Sequence, residues 1–297
     1  MAKYLNKEAT LYAGIDTIQI NSKTESEVDA DFLSISPERT KRSELWKYRL
    51  NPDKAYGETV FTLSEYFKMK NKMILELQLE DPQTVRIDYR FDSIEIDFDN
   101  IAKFYRCFLL LLARTLHIDN TMGIYDLRLR TWDKSLKIVN ERYEVEAYNK
   151  LLQEPNGKVT ARIEFRIKKL YDFDIPDGMT VEEYGLRKWY EKIQEAIMTK
   201  NIVKFVKEQN DLLFLEYQTQ KFQRPKFTVS QFIDNYKTDF FLEEQLIDFL
   251  ERYSEYTDVK QQARRIKSRY KIELYHKKDF LNFFEKVYDS GNKYLGC

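Results

Sequence analysis

Glycine is scarce in this 297-residue chain, at 8 residues, which argues against both a disordered polymer and a fold built on a Gly-rich phosphate loop. Cysteine is scarcer. Cys107 sits in an apolar run and Cys297 at the far end, so a disulfide framework is not expected and a reducing compartment fits. Charge of one sign is missing too: Lys+Arg and Asp+Glu are both 49, which speaks against a protein that coats nucleic acid through bulk charge. Any polyanion bound here must meet cations gathered on one face. The longest apolar run, Cys107–Ala113, falls short of the roughly 20 residues needed to span a bilayer, and no signal-type apolar core is read at the start. The expectation is a soluble, cytoplasmic protein with no membrane partner. What is present is an ordinary globular balance, 43% hydrophobic and 33% charged, rich in aromatics with 21 Tyr and 20 Phe. That length can bury one large core or two smaller ones.

Strand-like alternation opens the chain. Ile15, Thr17 and Gln19 are predicted to face one way and Asp16, Ile18 and Ile20 the other. Met73 to Leu79 alternates more cleanly, and Val85 to Phe91 is clearer still. Asp99-Asn100 reads as an N-cap, starting a helix from Ile101 to about His117 whose apolar residues wrap most of its circumference. Three further strands are expected at Ile124–Thr131, Tyr143–Tyr148 and Val159–Ile167, the last two joined through a Pro155-Asn156-Gly157 hairpin loop. After Asp177-Gly178 the pattern becomes helical: Val181–Lys200, a break at Gln223-Arg224-Pro225, then three or more helices over Thr228–Asp289. The predicted fold class is α+β, an antiparallel sheet with packed helices over residues 1–177, followed by a helical region over 178–297.

Two strands share one pattern, Arg86-Ile87-Asp88-Tyr89-Arg90 and Arg162-Ile163-Glu164-Phe165-Arg166. A period of two places Arg, acid and Arg on one face and Ile with an aromatic on the other. If the strands pair, Asp88 and Glu164 converge, and oxygen ligands of that kind suit Mg²⁺ or Mn²⁺. The flanking Arg86, Arg90, Arg162 and Arg166 suit phosphate, which guanidinium groups hold bidentately. The same alternation also describes a sheet face laced with cross-strand ion pairs. A third run, Arg142 to Lys150, puts Glu144, Glu146 and Tyr148 together on a polar face with Val145 and Ala147 buried. A phenol whose ordinary pKa is near 10 needs a neighbouring base, cation or metal before it can act as a nucleophile.

The order of these runs, R-I-D, then a helix, then strands ending in A-Y-N-K and R-I-E-F-R-I-K, resembles rolling-circle plasmid replication initiators of the Rep-trans type. More distantly it is similar to filamentous-phage gene II nicking proteins. The resemblance covers roughly residues 14 to 170. It implies a site-specific DNA endonuclease and strand transferase in which Tyr148 attacks the DNA backbone, forming a 5′-phosphotyrosyl link and freeing a 3′-hydroxyl that primes replication. It implies Asp88 and Glu164 as metal ligands, and Lys150, Arg162 and Arg166 as phosphate-side helpers. The better-known nicking fold holds its metal with a His-hydrophobe-His motif; this chain has only His117 and His276, far apart, so a carboxylate site is required instead. The partner implied is double-stranded origin DNA presenting an extruded hairpin or single strand, with a helicase and a homodimer as further implications.

Two basic clusters remain. Arg264, Arg265, Lys267, Arg269 and Lys271, with His276 to Lys278 beyond, suit either a solvated helix face or origin binding by the C-terminal region. Arg128, Arg130, Lys134 and Lys137 suit a strand backbone, with Trp132 available for base stacking. His117 reads as structural and His276 as a solvent or phosphate contact. A non-catalytic DNA-binding replication or regulatory protein is the competing reading, as is a structural protein assembling through its aromatic helical half.

Overall fold

The computed structural model describes residues 10–40, 44–57, 59–94, 98–116, 135–153, 155 and 157–296. The strand expected at Ile124–Thr131, together with His117, Asn156, Cys297 and the cluster residues Arg128, Arg130, Trp132 and Lys134, lies outside them.

Seven strands among the described residues form one sheet: β1 (Thr10–Ser22), β2 (Leu33–Arg39), β3 (Trp46–Leu50), β4 (Gln83–Ile94), β5 (Ser135–Val139), β6 (Tyr143–Asn149) and β7 (Val159–Lys168). Their order is β2-β3-β1-β4-β7-β6-β5, and each neighbouring pair runs antiparallel. This is the α+β class that the sequence predicts. Alternation decides which face is which. Ile87, Tyr89 and Phe91 of β4, Ile163, Phe165 and Ile167 of β7, and Val145 and Ala147 of β6 enter the apolar core, so the residues between them face the other way.

The core face is covered by α2 (Leu63–Glu76), α3 (Phe98–Thr115), α4 (Val181–Ala196) and α9 (Lys277–Leu295), with short α1 (Pro52–Tyr56) beside β1. Helix α3 is apolar nearly all round because it is enclosed on several sides. Phe104 stacks on Phe280 at 4.9 Å between ring centres and meets Phe283 at 5.1 Å, while Leu109 to Ala113 are buried. Full burial of each such side chain contributes about 1.5–3 kcal/mol. Phe165 of β7 packs on Trp189 of α4 at 4.6 Å. One core therefore runs from the sheet into helices on both sides of residue 178. A second apolar cluster joins the far end of α5 (Thr199–Gln223) to α6 (Val229–Tyr236), α7 (Glu243–Tyr253) and α8 (Val259–Tyr270).

Three expectations need correction. Met73–Leu79 is the end of α2 and the turn after it, not a strand. Thr62 and Glu65 form a capping box that starts this helix, and Tyr66, Met69, Met73 and Leu77 supply its buried stripe. Leu75, which alternation groups with Leu77 and Leu79, is 75% exposed. Helix α3 begins at Phe98, so Asp99 and Asn100 stand inside its first turn and do not precede it. In β1 the parity expected for Ile15 against Ile18 and Ile20 fails, since all three are buried. Ile15 pairs with Tyr89 and Thr17 with Asp88, leaving Asp16 as the extra residue of a β-bulge.

Candidate functional site

The polar face of β1, β4, β7 and β6 forms the floor of an open cleft of about 680 Å³. Cross-strand register fixes what stands there. Asp88 lies opposite Arg166, Arg90 opposite Glu164 and Asp92 opposite Arg162 between β4 and β7; Glu144, Glu146 and Tyr148 of β6 lie opposite Arg166, Glu164 and Arg162. The sequence expectation that Tyr148, Asp88 and Glu164 share one face of one sheet is met geometrically. Tyr148 is buried, at 6% exposure, yet it belongs to the cleft wall and not to the apolar core.

The Tyr148 hydroxyl donates to Glu164 Oε1. Burial, then the negative charge of Glu164, pushes the phenol pKa well above its ordinary value. Burial and the nearby Asp16 carboxylate raise Glu164 in turn, against the opposing pull of Arg166. Lys150 follows at the mouth of the cleft, where the Asn149 side chain accepts from the Leu151 backbone N–H and starts a short 3₁₀ turn.

Each expected phosphate-binding arginine of the sheet is engaged by carboxylates. Arg86 chelates Asp88, Nε and Nη2 each donating at 2.7 Å. Arg90 reaches across β1 to Asp53 at the start of α1. It passes over Gly14, where a Cβ would lie 2.8 Å from Arg90 Nε, so the missing side chain opens the route. Arg162 donates to Asp92 through Nε (2.5 Å) and Nη2 (2.9 Å) and to Asp16 through Nη1 (2.6 Å). Arg166 contacts Glu144, Glu164 and Glu146, the last at 2.8 Å. Burial raises the Glu144 carboxyl, but hydrogen bonds from Lys137 and Arg166 outweigh it and hold the pKa at about 2. Asp88 is raised by burial, with Arg86 opposing.

The expected Mg²⁺ or Mn²⁺ site on Asp88 and Glu164 does not fit this arrangement. Both Asp88 oxygens accept from Arg86, and both Glu164 oxygens accept from Tyr148 or Arg166. Among the described residues no three His, Cys, Asp or Glu side chains converge as ligands for an ion. Guanidinium groups stand where the sequence reading places the ion, Arg86 on Asp88 and Arg166 on Glu164.

Asp16, Asp53 and Asp92 are site residues that sequence reasoning missed. Asp92 carried a readable signal, because it continues the period of Arg86, Asp88 and Arg90. Asp16 did not, since the bulge that turns it onto this face reverses the alternation. Asp53 comes from a helix outside the sheet pattern altogether.

The C-terminal cations lie elsewhere. Arg264, Arg265 and Arg269 stand exposed on α8, whereas Lys267 turns inward to Glu243 at 3.4 Å. Lys271 adopts φ 51° as the residue ending α8 and is off the helical face expected for it. His276 Nε2 lies 2.7 Å from Glu243, a carboxylate neighbour that the sequence reading did not supply. No helix among the described residues is long and apolar enough to cross a membrane.

No family model matches the chain, and no curated protein matches it. Among solved structures, that of a rolling-circle replication initiator protein from Geobacillus stearothermophilus aligns over 93% of this chain and 96% of its own, at 10% identity and a TM-score of 0.31. A likeness that weak carries no argument, and function rests on the chemistry of the cleft.

Proposed function

We propose that the cleft cuts one strand of DNA by transferring a phosphodiester to Tyr148, as the opening step of rolling-circle replication. The observation that carries this reading is the Tyr148 hydroxyl donating to Glu164 on the floor of a cleft walled by arginines. A phenol within hydrogen-bond reach of a carboxylate, on the floor of an open cleft, has the geometry of a nucleophile paired with its base. In the resting protein Arg166 holds Glu164 and lowers its proton affinity. A phosphate competing for Arg166 and Arg162 would draw those guanidinium groups away from the carboxylates. The same movement stabilises the phosphate and makes Glu164 a stronger base.

The step balances without a further reactant. The Tyr148 proton passes to Glu164 as the phenol oxygen bonds to phosphorus. The bond from phosphorus to the 3′ oxygen breaks, its electron pair stays on that oxygen, and Lys150 supplies the proton that makes the 3′-hydroxyl. Glu164 then returns a proton to Lys150. The product is a 5′-phosphotyrosyl link.

The test is covalent capture. The chain is incubated with a labelled library of random-sequence single-stranded and hairpin oligonucleotides, and denaturing gels reveal any adduct. The reading expects an adduct that maps to Tyr148 and vanishes in Tyr148→Phe. An adduct that survives that substitution removes Tyr148 from the role. No adduct at all, with DNA still bound, leaves a non-catalytic DNA-binding protein.

A further inference from the structure

Two groups of cations contrast in this protein. Arg86 and Arg90 of β4 and Arg162 and Arg166 of β7 are paired with carboxylates, whereas the cations of α8, Lys267 excepted, are not. The span Val259–Lys271 contains Lys260, Arg264, Arg265, Lys267, Arg269 and Lys271 and no acidic residue. Apart from Lys267, these side chains are exposed, and no ion pair joins them to any described residue. In a chain of zero net charge, this helix is a concentrated and unspent positive surface.

The helix is firmly mounted. Asp258 caps it by accepting from the Gln261 N–H at 2.9 Å. Ala263 and Ile266 are buried against α7 and α6, flanked by half-buried Val259 and Tyr270. With α7 and the Ser254–Asp258 turn, it forms a helix–turn–helix hairpin. At about 100° per residue, the buried stripe fixes which side chains point outward. Gln261, Arg264, Arg265 and Ser268 lie opposite the stripe, and Lys260 and Arg269 stand on its two flanks.

We propose that α8 holds duplex DNA by lying in the major groove, with Gln261, Arg264, Arg265 and Ser268 toward the base edges and Lys260 and Arg269 toward the two phosphate walls. The inference rests on the reading that this chain acts on DNA, and it assigns a second contact, away from the cleft. An α-helix about 10–12 Å across fits a B-form major groove about 12 Å wide. Arginine and glutamine are the side chains that pair bidentately with guanine and adenine there. The outward face carries no aromatic residue on which an unstacked base could lie, which disfavours single strands. It carries no large apolar residue either, which disfavours a lipid surface.

The test measures binding of the full chain to a labelled random-sequence 30-base-pair duplex across a salt series, by fluorescence anisotropy. Each lost phosphate contact lowers the slope of log affinity against log salt by about 0.9. Lys260→Ala with Arg269→Ala is therefore expected to lower it by about 1.8, with circular dichroism unchanged. Lys267→Ala, facing Glu243, is expected to leave the slope in place. Arg265→Ala is expected to change the sequences recovered from a random duplex library. An unchanged slope in the double variant overturns the proposal. Equal dependence of single-stranded DNA, or of phosphatidylcholine–phosphatidylserine vesicles, on the same two residues overturns it as well. Adduct formation through Tyr148 is scored separately on the same preparations, so failure of the cleft chemistry and failure of the α8 contact are told apart.

Discussion

Arg162 is the residue whose loss tests most directly how the polar face is held together. It is buried, donates twice to buried Asp92 and once to Asp16, and lies 3.8 Å from Glu164. Arg162→Met keeps much of the side-chain volume but leaves two carboxylates without their partner. Hydrogen bonds to charged groups contribute about 1.5–3 kcal/mol each, and three of them sharing one guanidinium are not additive. Breaking a buried ion pair by removing one partner costs about 3–5 kcal/mol, and that is the loss expected at pH 7. The pH dependence follows from Asp16. Burial raises its carboxyl, and Arg162 and Arg90 more than reverse that, so its net displacement is below the ordinary 3.8. In the native protein this group contributes stability above pH 3.8 that is lost only as pH falls through its lowered folded value. In Arg162→Met the carboxyl rises instead, and protonation below its raised value relieves the penalty. Urea unfolding at pH 7 and at pH 4.5 should show the difference between variant and native protein shrinking at the lower pH. A difference below 1 kcal/mol at pH 7, or one that stays constant between the two, would refute the account of Arg162 as the counter-ion of this face.

Glu164→Gln keeps an acceptor for the Tyr148 hydroxyl but removes the base. Its expected result is an adduct rate lower by about 10²–10⁴-fold in a chain that still unfolds cooperatively, and a native rate would remove Glu164 from the mechanism. Gly291→Ala places a Cβ 1.3 Å from Tyr190 Oη and 2.6 Å from its ring carbon Cζ. Overpacking of this kind costs about 1–3 kcal/mol, and each kcal/mol lowers the melting temperature by about 2–4 °C in a protein of this size. Scanning calorimetry should show the fall and a partial recovery on Tyr190→Phe; no fall would mean that α9 and α4 yield more readily than their packing implies.

The strands that carry the site were legible because each is polar on one face and apolar on the other. Arg86 to Arg90 and Arg162 to Arg166 have a strict period of two, and no helix can satisfy it. The same rule misled at Met73–Leu79, where alternation of leucines overlies a helical stripe and the deciding signal stood a turn and more upstream, in the Thr62 to Glu65 capping box. Strands β2 and β3 were not read at all. β2 is a sheet edge containing Pro37, half exposed along its length, and an edge strand with one wet face and a proline leaves little pattern. In the C-terminal half, periodicity located the helices over Thr228–Asp289 and the cations on one of them. What it could not give was Glu243, whose contact with Lys267 and His276 is set by how α7 packs.

Burial explains why the sheet cations and the helix cations behave so differently. A guanidinium taken out of water must be compensated on the spot, so arginines placed on a sheet face beneath a cleft demand acids beside them. Seven basic and five acidic side chains line the main cleft, and Arg90, Asp53 and Asp92 beside it bring the tally to eight against seven. Such a surface is nearly neutral at long range, and its charges act only on a group already within hydrogen-bond reach. Attraction of a polyanion from a distance falls to cations that remain in water, and over the thirteen positions Val259–Lys271 five of the six cations, all but Lys267, stand exposed with no acid in the span. The two proposals thus follow from one constraint: a chain with no net charge separates the cations that would work on a phosphate from the cations that would find it.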